Sequence, residues 1–257
     1  TNCDYDTAKA FRAAGAEVRT SVLCNIAGDD VLRSIAEMKE HIRRAHIFVL
    51  AGGFSAGDEP DGSAKFIVNV LNNKDIRDEI HALTDRGGLI LGICNGFQAL
   101  VKSGLLPYGR LGMVTKESPT LFRNDVNRHI SQSVATTASP WLRGFRPGEL
   151  HSIAVSHGEG KFVVSEELAR ELFANGQVAF QYADAAGNPT AEAPWNPNGS
   201  SYAIEGIISE RVDSWKDGPH GALRKQPVQE HRRQQAAVVV RQCRGLFPQS
   251  AITLKKR

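Results

Sequence analysis

The sequence has few features of a membrane, secreted or metal-scaffolded protein. Nowhere in its 257 residues does an apolar run reach the roughly 20 residues of a membrane-spanning helix. No signal-peptide pattern stands at its start, so a cytoplasmic location is the expectation. The four cysteines, Cys3, Cys24, Cys94 and Cys243, include no C-x-x-C pair. That spacing excludes the usual zinc and disulfide frameworks and fits a reducing compartment. No phosphate-binding loop of the G-x-x-x-x-G-K-[ST] type occurs, so no nucleotide site is expected within the chain.

Hydrophobic content of 41% and charged content of 23% are those of an ordinary globular domain with one full core. The charge is unevenly placed. Residues 211–257 hold 11 Lys and Arg against 3 Asp and Glu, a local +8, which leaves −5 for the first 210. The two parts do not read as one domain. The basic tail carries no aromatic platform or nucleic-acid motif, so nucleic acid is not an expected partner.

The most informative stretch is Leu89 to Leu100. An apolar run ends in Gly92-Ile93-Cys94-Asn95-Gly96 and passes into an apolar-periodic segment, which predicts a buried strand, a sharp turn and a helix start. Glycines on both sides of a nucleophile let the backbone turn tightly there. A thiol at a helix N-terminus is favoured as the thiolate, and the N–H of Asn95 can face a developing oxyanion. The competing reading is a buried structural cysteine. A second glycine-rich turn, Gly52 to Glu59, follows the apolar run Ile47 to Leu50 and can supply another oxyanion N–H.

Around these turns the pattern alternates strand and helix. A helix is expected over Thr7 to Ala14, capped by Asp4 or Asp6 and stopped at Gly15. A strand is expected over Glu17 to Leu23. A helix follows from Val31 to Arg44, with Leu32, Ile35, Met38 and Ile42 on one face. Helices are predicted over Ala64 to Leu71 and Ile76 to Thr84, then the nucleophile strand. The alternation predicts an α/β fold with a mostly parallel sheet and helices on both faces. Further on, Arg123, Asn124, Asn127 and Arg128 read as solvated. Ser165 reads as the cap of a helix over Glu166 to Asn175.

Gln98 lies four residues after Cys94, which places it near the thiol on a helix, as substrate contact or as plain surface residue. Ser156-His157-Gly158-Glu159-Gly160 puts a His and a carboxylate two apart. On a strand they would project together, as a base and its orienter, or as a turn with a His–Glu hydrogen bond.

These motifs together resemble the class I glutamine amidotransferases, and within them the glutaminase part of phosphoribosylformylglycinamidine synthases. The match rests on Thr1 to Asp6, Gly52 to Asp58, Gly92 to Pro107, Ser156 to Gly160 and Asn196 to Ser200, and covers about residues 1–210. The resemblance implies a flavodoxin-like α/β fold with Cys94 as nucleophile and the N–H groups of Gly53 and Asn95 as oxyanion donors. It implies Gln98, Ser156, His157 and Glu159 as substrate-binding residues. It implies glutamine as substrate, a synthetase part as partner, no cofactor or metal in this domain, and ATP with magnesium on the synthetase. The alternatives are another Cys hydrolase on the same fold, or a non-catalytic docking or pseudo-enzyme domain.

Two departures stand out. The family has a strand ahead of its version of Thr1-Asn2-Cys3, so a first strand is expected to be missing. Its catalytic Gly-Lys-Met-Gly-His-x-Glu-Arg segment is also absent, because His220 has no carboxylate two residues on. Codons for Trp215 to Pro227 can be chosen within the code's degeneracy so that, read one base later, they spell Gly-Lys-Met-Gly-His-Thr-Glu-Arg-Tyr-Gly-Asn-Asn. A one-base frame change near Glu210 to Val212 is therefore expected, with 211–257 an out-of-frame, poorly ordered tail and glutamine hydrolysis impaired.

Overall fold

The computed structural model describes residues 3–24, 26–55, 58, 63–126, 130–136, 142, 145–155 and 157–209. Ser156, Asn127, Arg128 and the 211–257 tail lie outside these. No helix among the described residues is long and apolar enough to cross a membrane.

The first helix, α1 (Asp4–Ala13), begins earlier than expected. Cys3 is its N-cap with no side-chain capping hydrogen bond, and Asp4 and Asp6 sit inside the first turn, where negative charge meets the positive helix end. Gly15 ends it at φ +89°. The expected strand over Glu17 to Leu23 has no ladder among the described residues, and Val22 is 71% exposed. Side chains hold the segment instead: Ser21 Oγ is 2.7 Å from His41 Nδ1, and the Cys24 N–H donates to Ser34 Oγ at 3.0 Å. A weak alternation without a paired neighbour has nothing to fix it as sheet.

Helix α2 (Gly28–Arg44) takes Asp29 and Asp30 into its first turn. Ile35, Met38 and Ile42 reach the core, but Leu32 is exposed, because it precedes the turns that meet the neighbouring helices. Strands β1 (Ile47–Leu50) and β2 (Leu89–Gly92) pair in parallel, with Phe48 opposite Ile90. Between them run α3 (Lys65–Asn72) and α4 (Lys74–Asp85). The break falls at Asn73, whose side chain accepts the N–H groups of Asp75 and Ile76.

Helix α5 (Asn95–Lys102) is the pivot of the fold. Every residue from Asn95 to Val101 is buried, as a helix enclosed on all sides requires. Ala99 and Leu100 join one core with Ile42, Leu71, Ile80 and Leu83. Phe97 and Val101 join a second with Leu121, Phe162, Leu172 and Ile204. Each such large apolar side chain contributes about 1.5–3 kcal/mol by leaving water. The short α6 (Leu105–Tyr108) follows.

The second half is built of antiparallel ladders. Strand β3 (Thr120–Arg123) pairs with β6 (Glu159–Val163), and β4 (Ile130–Thr136), β5 (Leu150–Val155), β7 (Val178–Tyr182) and β8 (Ile204–Ile207) form a sheet in the order β5-β4-β7-β8. Helix α7 (Glu166–Ala174) is capped by Ser165, whose hydroxyl accepts the Leu168 N–H at 3.2 Å. The class is α/β, with parallel pairing at β1–β2, directly under α5.

Candidate active site

Strand β2 delivers the chain to Cys94, which caps α5 at φ +52°, ψ −110°. A non-glycine residue in such a region costs on the order of 1–3 kcal/mol and must be held by its surroundings. The two glycines are what hold it. A Cβ on Gly92 would lie 2.5 Å from the Gly96 carbonyl oxygen, and one on Gly96 would lie 2.0 Å from that of Leu50. Only a bare backbone passes so close. The Ile93 N–H donates to Leu50 O at 3.0 Å and the Gly96 N–H to Ile93 O at 2.9 Å, which close the turn.

The second glycine turn docks on this elbow through Asn95. Its buried side-chain Nδ2 lies 2.9 Å from the Gly53 carbonyl oxygen, 3.1 Å from Ser55 Oγ and 2.8 Å from Asp58 Oδ2. Gly53 itself stands at φ +101°. Gly53 and Asn95, the expected oxyanion pair, are therefore neighbours across one hydrogen bond. Asp58 also accepts from Ser55 and Ala64, a hub to which the sequence reading gave no role.

Gln98 is 4% exposed, so it is not a surface residue. Its Nε2 donates to the Glu159 carbonyl, which pins the start of β6 to α5. The Glu159 carboxylate accepts the Ser63 N–H at 3.1 Å and lies 3.8 Å from Lys102 Nζ, while Lys102 donates to the Ser63 carbonyl at 2.7 Å. Ser63, Lys102 and Glu159 thus tie the end of the glycine loop to both the elbow helix and β6. Lys102 is another residue that the sequence reading passed over.

His157 does not project beside Glu159. It lies in the turn ahead of β6, and its ring packs where a Cβ on Gly160 would stand, 1.7 Å from its Cε1. Asn124 Nδ2 is 3.2 Å from His157 Nδ1 and donates to the His157 carbonyl at 2.6 Å. Of the two ring nitrogens, Nε2 is buried without a hydrogen-bond partner. Burial lowers the His157 pKa to about 4, against a smaller raising effect from a backbone hydrogen bond at Glu159, so the ring is neutral at pH 7. Asn124, expected to be solvated, is 6% exposed because it packs under this turn.

The Asn196 to Ser200 turn supports the same turn from behind. Asn198 Nδ2 reaches the Gly160 carbonyl at 3.3 Å and the Tyr182 hydroxyl at 2.7 Å, and Ser200 Oγ accepts the Phe162 N–H at 3.1 Å. Beyond Tyr182 lies Glu205 on β8, fully buried, with neither carboxylate oxygen hydrogen-bonded. Burial raises its pKa to about 8.

A strained cysteine thus stands between a strand and a buried helix, faced by a glycine turn. The chain belongs to the family of CobB/CobQ-like glutamine amidotransferase domains, whose profile matches residues 1–221. It is thus a glutamine amidotransferase domain on a flavodoxin-like α/β fold.

Its relatives narrow the class. It is 31% identical over 252 residues to the phosphoribosylformylglycinamidine synthase subunit PurQ of Methanococcus maripaludis strain C5, which spans 96% of this chain and 88% of the relative. It is 35% identical over 220 residues to the PurQ of Chlorobaculum tepidum, spanning 86% and 82%. The PurQ of Gloeobacter violaceus is 31% identical over 200 residues, spanning 78% and 80%. The structure of PurLQS from Thermotoga maritima shares the fold, with a TM-score of 0.53 at 24% identity, covering 81% of this chain and 79% of that one.

Proposed function

We propose that the domain of residues 1–210 is built to release ammonia from glutamine for the phosphoribosylformylglycinamidine synthase reaction of purine biosynthesis. The observation that carries this is the Cys94 elbow docked on Gly53. The Cys94 sulfur attacks the side-chain amide carbon, and the oxyanion is received by the N–H groups of Gly53 and Asn95. The C–N bond breaks as the amide nitrogen takes up the proton given by the thiol, and ammonia leaves. Water then cleaves the thioester to glutamate and restores the thiol. Gln98, Ser156, His157 and Glu159 are the residues proposed to bind glutamine.

The ammonia passes to a synthetase partner that holds ATP and magnesium and converts formylglycinamide ribonucleotide to the amidine. The setting is cytoplasmic, with no membrane or nucleic-acid partner. His157, buried and with its pKa lowered to about 4, is too weakly basic to take the thiol's proton, and no His-x-Glu pair stands in frame in the tail. Turnover by this chain is therefore lowered by orders of magnitude.

The test compares ammonia release from glutamine by this chain and by a variant read one base later from Trp215 onward. The reading predicts release by the variant, abolished by Cys94→Ala, and near-background release by the chain itself. Native-like turnover by the chain would overturn the impairment. Inactivity of both, with binding to a synthetase retained, would favour a docking role.

A further inference from the structure

We propose that Asp58 is a positioning residue that sets the oxyanion-binding face of the elbow. The proposal rests on the glutaminase reading above and adds a residue that does not touch the reacting atoms. The Asp58 carboxylate receives four hydrogen bonds from three segments. Its Oδ2 accepts the Ser55 N–H at 2.6 Å and Asn95 Nδ2 at 2.8 Å. Its Oδ1 accepts the Ser55 hydroxyl at 2.7 Å and the Ala64 N–H at 2.9 Å.

Each of these partners has a reason to need an anchor. Asn95 supplies one expected oxyanion N–H, and its side chain also holds the Gly53 carbonyl. Ser55 lies two residues after Gly53. Ala64, fully buried at φ +68°, starts α3 in a region that disfavours a side chain. A carboxylate fits because it accepts at both oxygens, and bonds to a charged acceptor are the strong ones. Asparagine, the closest isostere, has a single acceptor oxygen. Its amide would face at least one N–H donor, leaving a donor without a partner. The carboxylate charge is thus used to hold the Gly53 turn and the Asn95 elbow in one register.

The experiment follows inactivation of the full chain by a diazoketone analogue of glutamine, which alkylates the active thiol. For Asp58→Asn, the maximal rate of Cys94 labelling is expected to fall about 10- to 100-fold, the scale of a misplaced or lost oxyanion donor. The half-saturating analogue concentration and the rate of Cys94 alkylation by iodoacetamide, which needs no oxyanion site, are expected to stay within about threefold. Asn95→Ala keeps the backbone N–H but removes the link, and should reproduce the loss. The double variant should lose less than the sum of the two, because the Asp58–Asn95 contact is common to both. Hydrogen exchange at the Gly53 and Asn95 amides reads the same contact without chemistry and should quicken about tenfold or more in Asp58→Asn. Wild-type labelling and exchange in Asp58→Asn would overturn the proposal, as would a parallel loss of iodoacetamide reactivity. If the parent chain itself shows no glutamine-blocked labelling, the function reading fails, and the exchange rates alone decide the role of Asp58.

Discussion

A Cβ built on Gly96 would stand 2.0 Å from the carbonyl oxygen of Leu50. That oxygen already accepts the Ile93 N–H, so neither partner can step aside without opening the elbow. Gly96→Ala is expected to destabilise the fold by about 1–3 kcal/mol or more, the range of overpacked cores. Gly28→Ala, where a Cβ meets nothing within 4 Å, should be near neutral. Urea unfolding of both variants checks the pair. Equal stabilities would show that the elbow is not tightly packed.

Glu205 should give the protein a stability loss at rising pH. Its pKa is about 8 when folded against an ordinary 4.5, so the folded state keeps a proton that the unfolded state releases. Below about pH 4.5 the group is protonated in both states and costs nothing. The cost grows from there to about pH 8 and reaches on the order of 3 kcal/mol at pH 7. Glu205→Gln should remove this slope and stabilise the chain at pH 7, with little effect near pH 4.5. Unfolding curves that stay parallel from pH 5 to 8 would contradict the buried, unpaired carboxyl.

His157 works in the opposite direction. Its folded pKa of about 4 lies below the ordinary 6.5, so the unfolded state takes up a proton first as pH falls. This group's contribution is therefore intact above about pH 6.5 and lost progressively toward pH 4. The His157 ring resonances should stay flat between pH 8 and 5.5. A titration centred near 6.5 would place the ring in solvent instead of against Asn124 and Gly160.

Lys102 and Glu159 are expected to be coupled through Ser63. Lys102→Met removes the donor to the Ser63 carbonyl and the cation beside Glu159, at a cost of about 1–2 kcal/mol. A double-mutant cycle with Glu159→Gln should show coupling of about 0.5–1 kcal/mol. Full additivity would mean that the two merely sit nearby.

What the sequence revealed here depended on how local each cause was. The Gly92, Cys94 and Gly96 pattern was readable because the steric need for bare backbone falls within five residues. The Ser165 cap and the break at Asn73 were readable for the same reason. Asp58 lay within a motif already singled out, yet its four donors include Ala64 and Asn95, which no local spacing connects to it. Asn124 looks like a polar loop residue until β6 brings His157 over it. Leu32 fits the apolar stripe of α2 but stands before the turns that meet the core. The weak alternation over Glu17 to Leu23 predicted a strand that finds no partner among the described residues. Glu205 sits in an apolar run, and only the packed sheet shows that both its oxygens are stranded.

The most direct measurement of the central claim is peptide mapping after treatment with the diazoketone glutamine analogue, with and without excess glutamine. Labelling confined to Cys94 and blocked by glutamine is the predicted result, since it needs the nucleophile and the glutamine pocket but not full turnover. Labelling spread over Cys3, Cys24 and Cys94 and indifferent to glutamine would contradict a glutamine-directed nucleophile at this elbow.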